Sequence, residues 1–195
     1  MNMRIIGITG GVGCGKSEVL KYMKSEFQAD ICQLDEVAKI LEKKGTPCYL
    51  QILKEFGTQI LKRDGELDRR KLGAAVFKNP SKLQKLNSIV HPEVKKWVLA
   101  DIRRKKTEGK KLYVIEAALL LEGGYEEICD EIWYIYAPED VRRERLTASR
   151  GYRREQIQNM FAAQLPEAVF RKKCAVIIDN SGPFENTKRQ IGDHL

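Results

Sequence analysis

Apolar positions follow two rhythms along this chain. MRIIGITG is a short apolar run, rich in isoleucine and ending in glycine, which is the pattern of a buried strand. KSEVLKYMKSEF follows it, with Val19, Leu20, Met23 and Phe27 at helical spacing. ADICQLD is a second short apolar run, ending in Asp35. EVAKILEKK reads as a helix that stops at Gly45-Thr46-Pro47. From PCYLQILKEFG to VKKWVLADIRRKKTEGK the pattern is helical, broken at RDGEL and KNPS. KLYVIEA, EIWYIYA and CAVIIDN read as the third, fourth and fifth strands. PEDVRRERLTASR starts a helix with Pro138 in its first turn, and PFENTKRQIGDHL closes the chain as another.

Strands separated by helical stretches require right-handed crossovers, and these build a parallel sheet with helices on both faces. The fold class is therefore α/β. Two stretches leave the sheet, one over about 47–109 and one, rich in arginine, over about 142–173. The sheet core then comprises 1–46, 110–141 and 174–195, all in a single domain.

Composition narrows the partners. The 195 residues are 43% hydrophobic and 32% charged, which suits a folded globular chain. The net charge of +8 favours an anionic partner, such as nucleic acid, an anionic membrane or a polyphosphate molecule. No uniform Lys/Arg block marks a nucleic-acid tail. Instead, arginines gather at 142, 143, 145, 150, 153, 154 and 171. Some of them belong to a solvated helix face, and one to three are expected to reach phosphate. Cysteines at 14, 32, 48, 129 and 174 form no C-x-x-C pair, and neither His91 nor His194 completes a metal cluster. No signal peptide pattern and no membrane-length apolar run is present, so a reduced, cytoplasmic location is expected.

The chemistry is announced by G-x-x-x-x-G-K-S, running from Gly10 to Ser17 between a strand and a helix. Gly11, Val12, Gly13, Cys14 and Gly15 supply backbone N–H groups that cradle phosphates, aided by the helix dipole. Lys16 reaches the β- and γ-phosphates of ATP, and Ser17 ligates Mg²⁺. Cys14 is either a reactive thiol at a helix N-terminus or a small residue that fits. A base-reading N-K-x-D is absent, which disfavours a GTPase, and the third strand ends in Glu116 rather than a magnesium-binding Asp. A kinase remains, with a nucleotide-binding switch as the rival of another class. Asp35 sits at a strand end, where ligands bind in open parallel sheets. It either handles the acceptor hydroxyl or caps the following helix.

IGITGGVGCGKSEV, LDEVAK, DGELDRRKLGAAVF, LNSIVHPEV, VIEAALLLE, RRERLTASRGYRREQIQNMFAAQ and VIIDNSG occur in an order and spacing that resemble the dephospho-CoA kinases. This family lies within the P-loop nucleoside-monophosphate-kinase-like group, and the resemblance runs from residue 4 to about 182. It implies a three-layer P-loop fold with a five-stranded parallel sheet, a helical acceptor-binding insertion and an arginine-rich lid. It implies ATP-dependent phosphorylation of the ribose 3′-hydroxyl of dephospho-CoA, the last step of coenzyme A biosynthesis, with Mg²⁺. The implied partners are these small molecules, with no nucleic acid or membrane, and the state a monomer or weak homo-oligomer. A kinase for another nucleotide or small hydroxyl acceptor is the nearest alternative.

The resemblance also implies roles. Asp35 faces the acceptor hydroxyl, and Lys16, Asp35 and Arg145 form the catalytic set. Arg69, Arg70, His91, Glu116 and Leu119 join Asp35 on the acceptor side, while Arg145 and Asn180 serve ATP, Asn180 near adenine. Gln164 also matches a family position. Departures from the family pattern are Gln33 for the first carboxylate of D-A-D, Ala118 for Pro, Ser149 and Met160 for Arg, Ala175 for Asp and Glu18 for Thr. By residue type, His91 packs locally rather than acting as the base, Trp97 and Trp133 belong to the core, and Tyr125 is a weaker candidate for the acceptor pocket.

Overall fold

The computed structural model describes residues 3–77 and 79–195. Along the chain run β1 (Arg4–Thr9), α1 (Lys16–Phe27), β2 (Asp30–Gln33), α2 (Leu34–Leu41), α3 (Pro47–Phe56), a 3-10 turn (Thr58–Ile60), α4 (Arg69–Phe77) and α5 (Pro80–Thr107). Then come β3 (Leu112–Glu116), β4 (Glu131–Tyr136), α6 (Glu139–Arg150), α7 (Arg154–Ala162), α8 (Glu167–Lys173), β5 (Val176–Asp179) and α9 (Phe184–His194). The residues group into two compact units, Met1–Ile31 with Glu108–Leu195, and Cys32–Thr107. The boundary falls before residue 47, so α2 belongs with the helical unit rather than with the sheet core.

The five-stranded parallel sheet has the order β2-β3-β1-β4-β5. Parallel strands covered on both faces must be apolar throughout. Accordingly, Ile6, Ile8, Val114, Trp133, Ile135 and Ile178 are all fully buried. Val19 and Met23 of α1 and Ile191 of α9 close one of the packed layers. Truncating Trp133 to Ala would cost about 3–5 kcal/mol through the cavity it leaves. Central β1 pairs with β3 on one side and β4 on the other, in a register that sets Ile8 opposite both Glu116 and Trp133. The carboxyl end of β1 therefore opens at the point where the strand order reverses, which is where open α/β sheets bind ligands.

The second unit is helical. Thr46 caps α3 by accepting a hydrogen bond from Tyr49 N at 3.1 Å, with Pro47 in the first turn. Ile52 and Phe56 of α3, Leu72 and Val76 of α4, and Val94, Val98 and Ile102 of α5 are buried. RDGEL forms a tight hairpin closed by a Leu61–Leu67 bridge and pinned by Tyr49 Oη to Gly65 O at 2.6 Å.

Two sequence expectations need correction. The second strand ends at Gln33, and Asp35 lies in the first turn of α2, whose N-cap is Gln33. Capping is thus excluded as the role of Asp35. The helix begun by EVAKIL stops at Leu41 rather than continuing through EKK. α5 runs through Pro92 without a break. Lys78, within the expected break at KNPS, lies outside the described residues.

Candidate active site

The loop between β1 and α1 takes the backbone shape its glycines permit. Gly13 and Gly15 have φ of 82° and 91°, a region that L side chains rarely adopt. A Cβ on Gly15 would also strike the side-chain amide of Asn180. Lys16 opens α1, and its Nζ donates to Gly10 O at 2.8 Å, with Glu116 Oε1 3.9 Å away. The ammonium therefore lies across the loop, bordered by the carboxylate that ends β3. Ser17 is exposed in the same first turn, and its hydroxyl has no hydrogen-bond partner among the described residues. Glu18 faces solvent, as expected.

Cys14 is only 1% exposed. Burial pushes its thiol up, and the nearby Lys16 charge offsets this only in part. It is the small packed residue of the two alternatives. Asn180 is buried just after β5. Its Nδ2 donates to Cys14 O at 2.8 Å, and its Oδ1 accepts from Thr187 Oγ1 at 2.8 Å. The amide thus holds the loop from behind.

The arginines of α6 separate by their partners. Arg143 donates to Glu139 at 2.6 Å and to Gln158 at 3.1 Å, so its charge is largely compensated. Arg142 donates only to the neutral Gln164, at 3.3 Å, and lies against Gly11, where a Cβ would collide with it. Arg142 Nε, Arg143 Nη1 and Arg145 Nη1 are all buried without a hydrogen-bond partner, but Arg145 has no other side-chain partner among the described residues, and its Nη1 lies 3.7 Å from where a Cβ on Gly15 would stand. Phe161 of α7 lies beneath both Arg142 and Arg143, at 4.4 and 5.3 Å from its ring centroid. Sequence reasoning passed over Phe161, although an aromatic one helix away from an arginine run is a usable signal. Arg150 and Arg153 are exposed, and Arg171 pairs with Glu167 at 2.6 Å.

A cavity of about 340 Å³ borders the loop at Gly11, walled by Arg142, Phe161, Gln164, Tyr134 and Phe170. Tyr134 stacks on Phe170 at 4.8 Å, and burial, chiefly, pushes its hydroxyl up to about 12, so it stays neutral. Tyr125 and Trp133 are buried, Trp97 is half-buried, and Leu119 is exposed after β3.

In the helical unit, Asp35 is exposed and has no hydrogen bond or ion pair among the described residues. It lies in the first turn of α2. Arg69 pairs with Glu42 at 2.7 Å, whereas the Arg70 side chain has no partner among the described residues. Both line a cavity of about 360 Å³ between α2, the hairpin and α4. His91 is exposed on α5 and makes no hydrogen bond among the described residues. The described residues contain no cluster of three or more His, Cys, Asp or Glu able to hold a metal, and no helix long and apolar enough to cross a membrane.

A phosphate-binding loop with unpartnered arginines beside it fits many kinases, and comparison with known proteins decides among them. The family pattern described as dephospho-CoA kinase matches residues 4–186. The chain belongs to the dephospho-CoA kinase family. It is 40% identical to the dephospho-CoA kinase of Carboxydothermus hydrogenoformans, covering 96% of this chain and 90% of that one. It is 37% identical to that of Geobacillus kaustophilus, covering 95% and 92%. A crystal structure of a Thermus thermophilus protein superposes with a TM-score of 0.85 at 30% identity, covering 100% of this chain and 97% of that one. The dephospho-CoA kinase of Campylobacter jejuni shares the fold, with a TM-score of 0.64 at 21% identity and coverage of 98% and 95%. The activity is therefore ATP-dependent dephospho-CoA phosphorylation, a phosphoryl transfer to a hydroxyl group.

Proposed function

We propose that this chain transfers the γ-phosphoryl of ATP directly, in line, to the ribose 3′-hydroxyl of dephospho-CoA, with no phosphoenzyme. The loop N–H groups and Lys16 hold the donor phosphates. Asp35 accepts or orients the proton of the 3′-hydroxyl, and its lack of any competing partner supports this role. Arg145, with Arg142 beside it, stabilises the charge that moves to the leaving oxygens. Asn180 acts through the loop it holds, as a positioning residue. Ser17 would hold a Mg²⁺ ion bound with ATP, which would supply positive charge to the donor phosphates. One free hydroxyl without a carboxylate cluster suits this ion, which keeps several waters and takes phosphate oxygens. Five free cysteines support a reducing, cytoplasmic setting.

The observation that carries the assignment of roles is the buried, unpartnered nitrogen of Arg145 beside the loop. A buried donor left unsatisfied in a native structure needs a partner, and a phosphate oxygen supplies one. The reading is tested by incubating the protein with ATP and dephospho-CoA and following coenzyme A formation. Turnover is expected to fall about 10²–10⁴-fold in Asp35→Asn while ATP affinity stays near wild type. Unchanged turnover removes Asp35 from the chemistry. Turnover of a nucleoside monophosphate, with none of dephospho-CoA, overturns the acceptor.

A further inference from the structure

We propose that Gln164 is a positioning residue: it holds the Arg142 guanidinium over the Gly11 end of the phosphate loop and leaves its charge for the donor phosphates. The inference rests on the reading that places Arg142 beside those phosphates. The cavity at Gly11 is lined by two carboxylates that could take this arginine, Glu139 and Glu167. Each is engaged elsewhere. Glu139 accepts from Arg143 and Glu167 from Arg171, both at 2.6 Å and both four residues on in the same helix. Arg142 is left with an uncharged partner, the Gln164 side-chain oxygen at 3.3 Å, and has no ion pair among the described residues. Its Nε is buried without a hydrogen-bond partner, so the guanidinium keeps a donor as well as its charge for an anion. That charge reaches the loop: burial, the larger effect, raises the Cys14 thiol, and Arg142 is among the charges that oppose it.

The place of Gln164 follows from how α7 ends. The helix stops at Ala162, the Ala163 N–H donates to Asn159 O at 3.2 Å, and the Gln164 N–H donates to Phe161 O at 3.1 Å. Leu165 and Pro166 then lead into α8, with Pro166 as its N-cap. This last turn brings Phe161 and Gln164, three residues apart, against one guanidinium. The ring centroid lies 4.4 Å from the guanidinium carbon of Arg142, and the amide oxygen accepts from its Nη1. A ring beneath and an amide at the edge fix both the plane and the direction of the fork. The contact with the loop is close: a Cβ on Gly11 would collide with Arg142 Nη1 and stand 3.0 Å from Gln164 Oε1. The residue type matters as much as the place. A carboxylate at 164 would hold the fork but claim its charge, whereas an apolar side chain would leave the charge free but undirected.

The test is initial-rate kinetics with ATP varied on Gln164→Glu, Gln164→Leu, Arg142→Gln and the two double variants, with a thermal melt of each. Arg142→Gln is expected to lower kcat/KM for ATP about 10- to 100-fold, the range for losing a charge-assisted contact to phosphate. Gln164→Glu should lower it about 10-fold while its Tm does not fall, because the new carboxylate pairs with Arg142. Gln164→Leu should lower it about 3- to 10-fold. On the Arg142→Gln background, neither change at 164 should cost more than about twofold, since a residue that acts through Arg142 has nothing left to position. Gln158→Glu, which sets a second carboxylate on Arg143, is the matched control and should leave kcat/KM unchanged. Wild-type kcat/KM in Gln164→Glu, or a loss that persists in full on the Arg142→Gln background, overturns the positioning role and leaves the reaction standing. Wild-type kcat/KM in Arg142→Gln overturns instead the underlying reading that Arg142 meets phosphate.

Discussion

Asn180 donates a hydrogen bond to the backbone carbonyl of Cys14 at 2.8 Å, joining two points 166 residues apart. The contact ties the end of β5 to the middle of the phosphate loop, and Thr187 of α9 holds the amide in the required orientation. Loop geometry is thereby coupled to the packing of the last strand and helix. Asn180→Ala leaves the buried Cys14 carbonyl without its side-chain donor, and the Thr187 hydroxyl with only Asp179 O, at 3.3 Å. The expected cost is about 1–3 kcal/mol of stability, with weaker ADP binding. Urea unfolding and calorimetric titration with ADP measure the two effects. Loss of stability with unchanged ADP affinity would show that the clamp does not shape the loop.

Much of this was legible in the sequence, and what was not has a common cause. The strands and the loop are written locally: unbroken apolar runs allow little but buried parallel strands, and the glycines of residues 10–17 admit one backbone course. The place of Asp35 was not legible, because strand pairing, rather than the ADICQLD run, decides that β2 stops at Gln33. Pro92 lies inside α5. Its missing N–H and ring cost a helix interior about 3 kcal/mol, yet burial of Ile89, Val90, Val94 and Val98 on either side carries α5 through. The arginine run raised the expectation of a phosphate contact, but not of which residue makes it. That depends on Glu139, Gln158 and Gln164, which claim some guanidinium groups and not others. The cavity of the helical unit was half visible: Arg69 and Arg70 stand out in DRRK, but only the folded hairpin brings Lys62 to them.

Arg145 and Arg143 lie two residues apart and should behave differently. Arg145→Ala is expected to lower kcat by about 10³-fold. Its thermal stability should not fall, because the buried Nη1 gives up no protein hydrogen bond. Arg145→Lys should recover only part of the rate, since an ammonium lacks the planar fork. Arg143→Ala removes contacts to Glu139 and Gln158 and should affect thermal stability more than kcat. Thermal melts and initial rates on the three variants separate these outcomes. A larger rate loss in Arg143→Ala than in Arg145→Ala would reverse the assignment.

The thiols should be inert in the native protein. Burial pushes Cys48 and Cys174 up to about 11 and Cys129 up to about 12, and raises Cys14 as well. Only the thiolate attacks an alkylating reagent, so at pH 8 the reactive fraction of Cys48, Cys129 and Cys174 is about 10⁻³ or less. Iodoacetamide at that pH is expected to modify these three residues at least about 100-fold more slowly than a free cysteine, Cys14 more slowly than a free cysteine as well, and all four rapidly in urea. Mass spectrometry of the digested protein gives the rates. Fast native labelling of Cys14 would restore the reactive-thiol reading.

Glu42 gives the fold a pH dependence of predictable sign. Burial raises its carboxyl above the usual value, and the pairing with Arg69 opposes this only in part. A carboxyl whose pKa is higher in the folded than in the unfolded state favours folding most when protonated. Its contribution is complete below about pH 4.5 and is lost as pH rises through the folded-state pKa. At neutral pH the charged form is thus a net burden that the neutral isostere removes. Glu42→Gln is expected to raise Tm at pH 7.5 by about 2 °C, a shift of the size a chain this long shows for small stability changes. The gain should shrink as pH falls and vanish near pH 4.5. Calorimetric melts of wild type and variant from pH 4.5 to 8 test this. A variant that melts below wild type at pH 7.5 would mean that the ion pair with Arg69 outweighs the burial of the carboxylate.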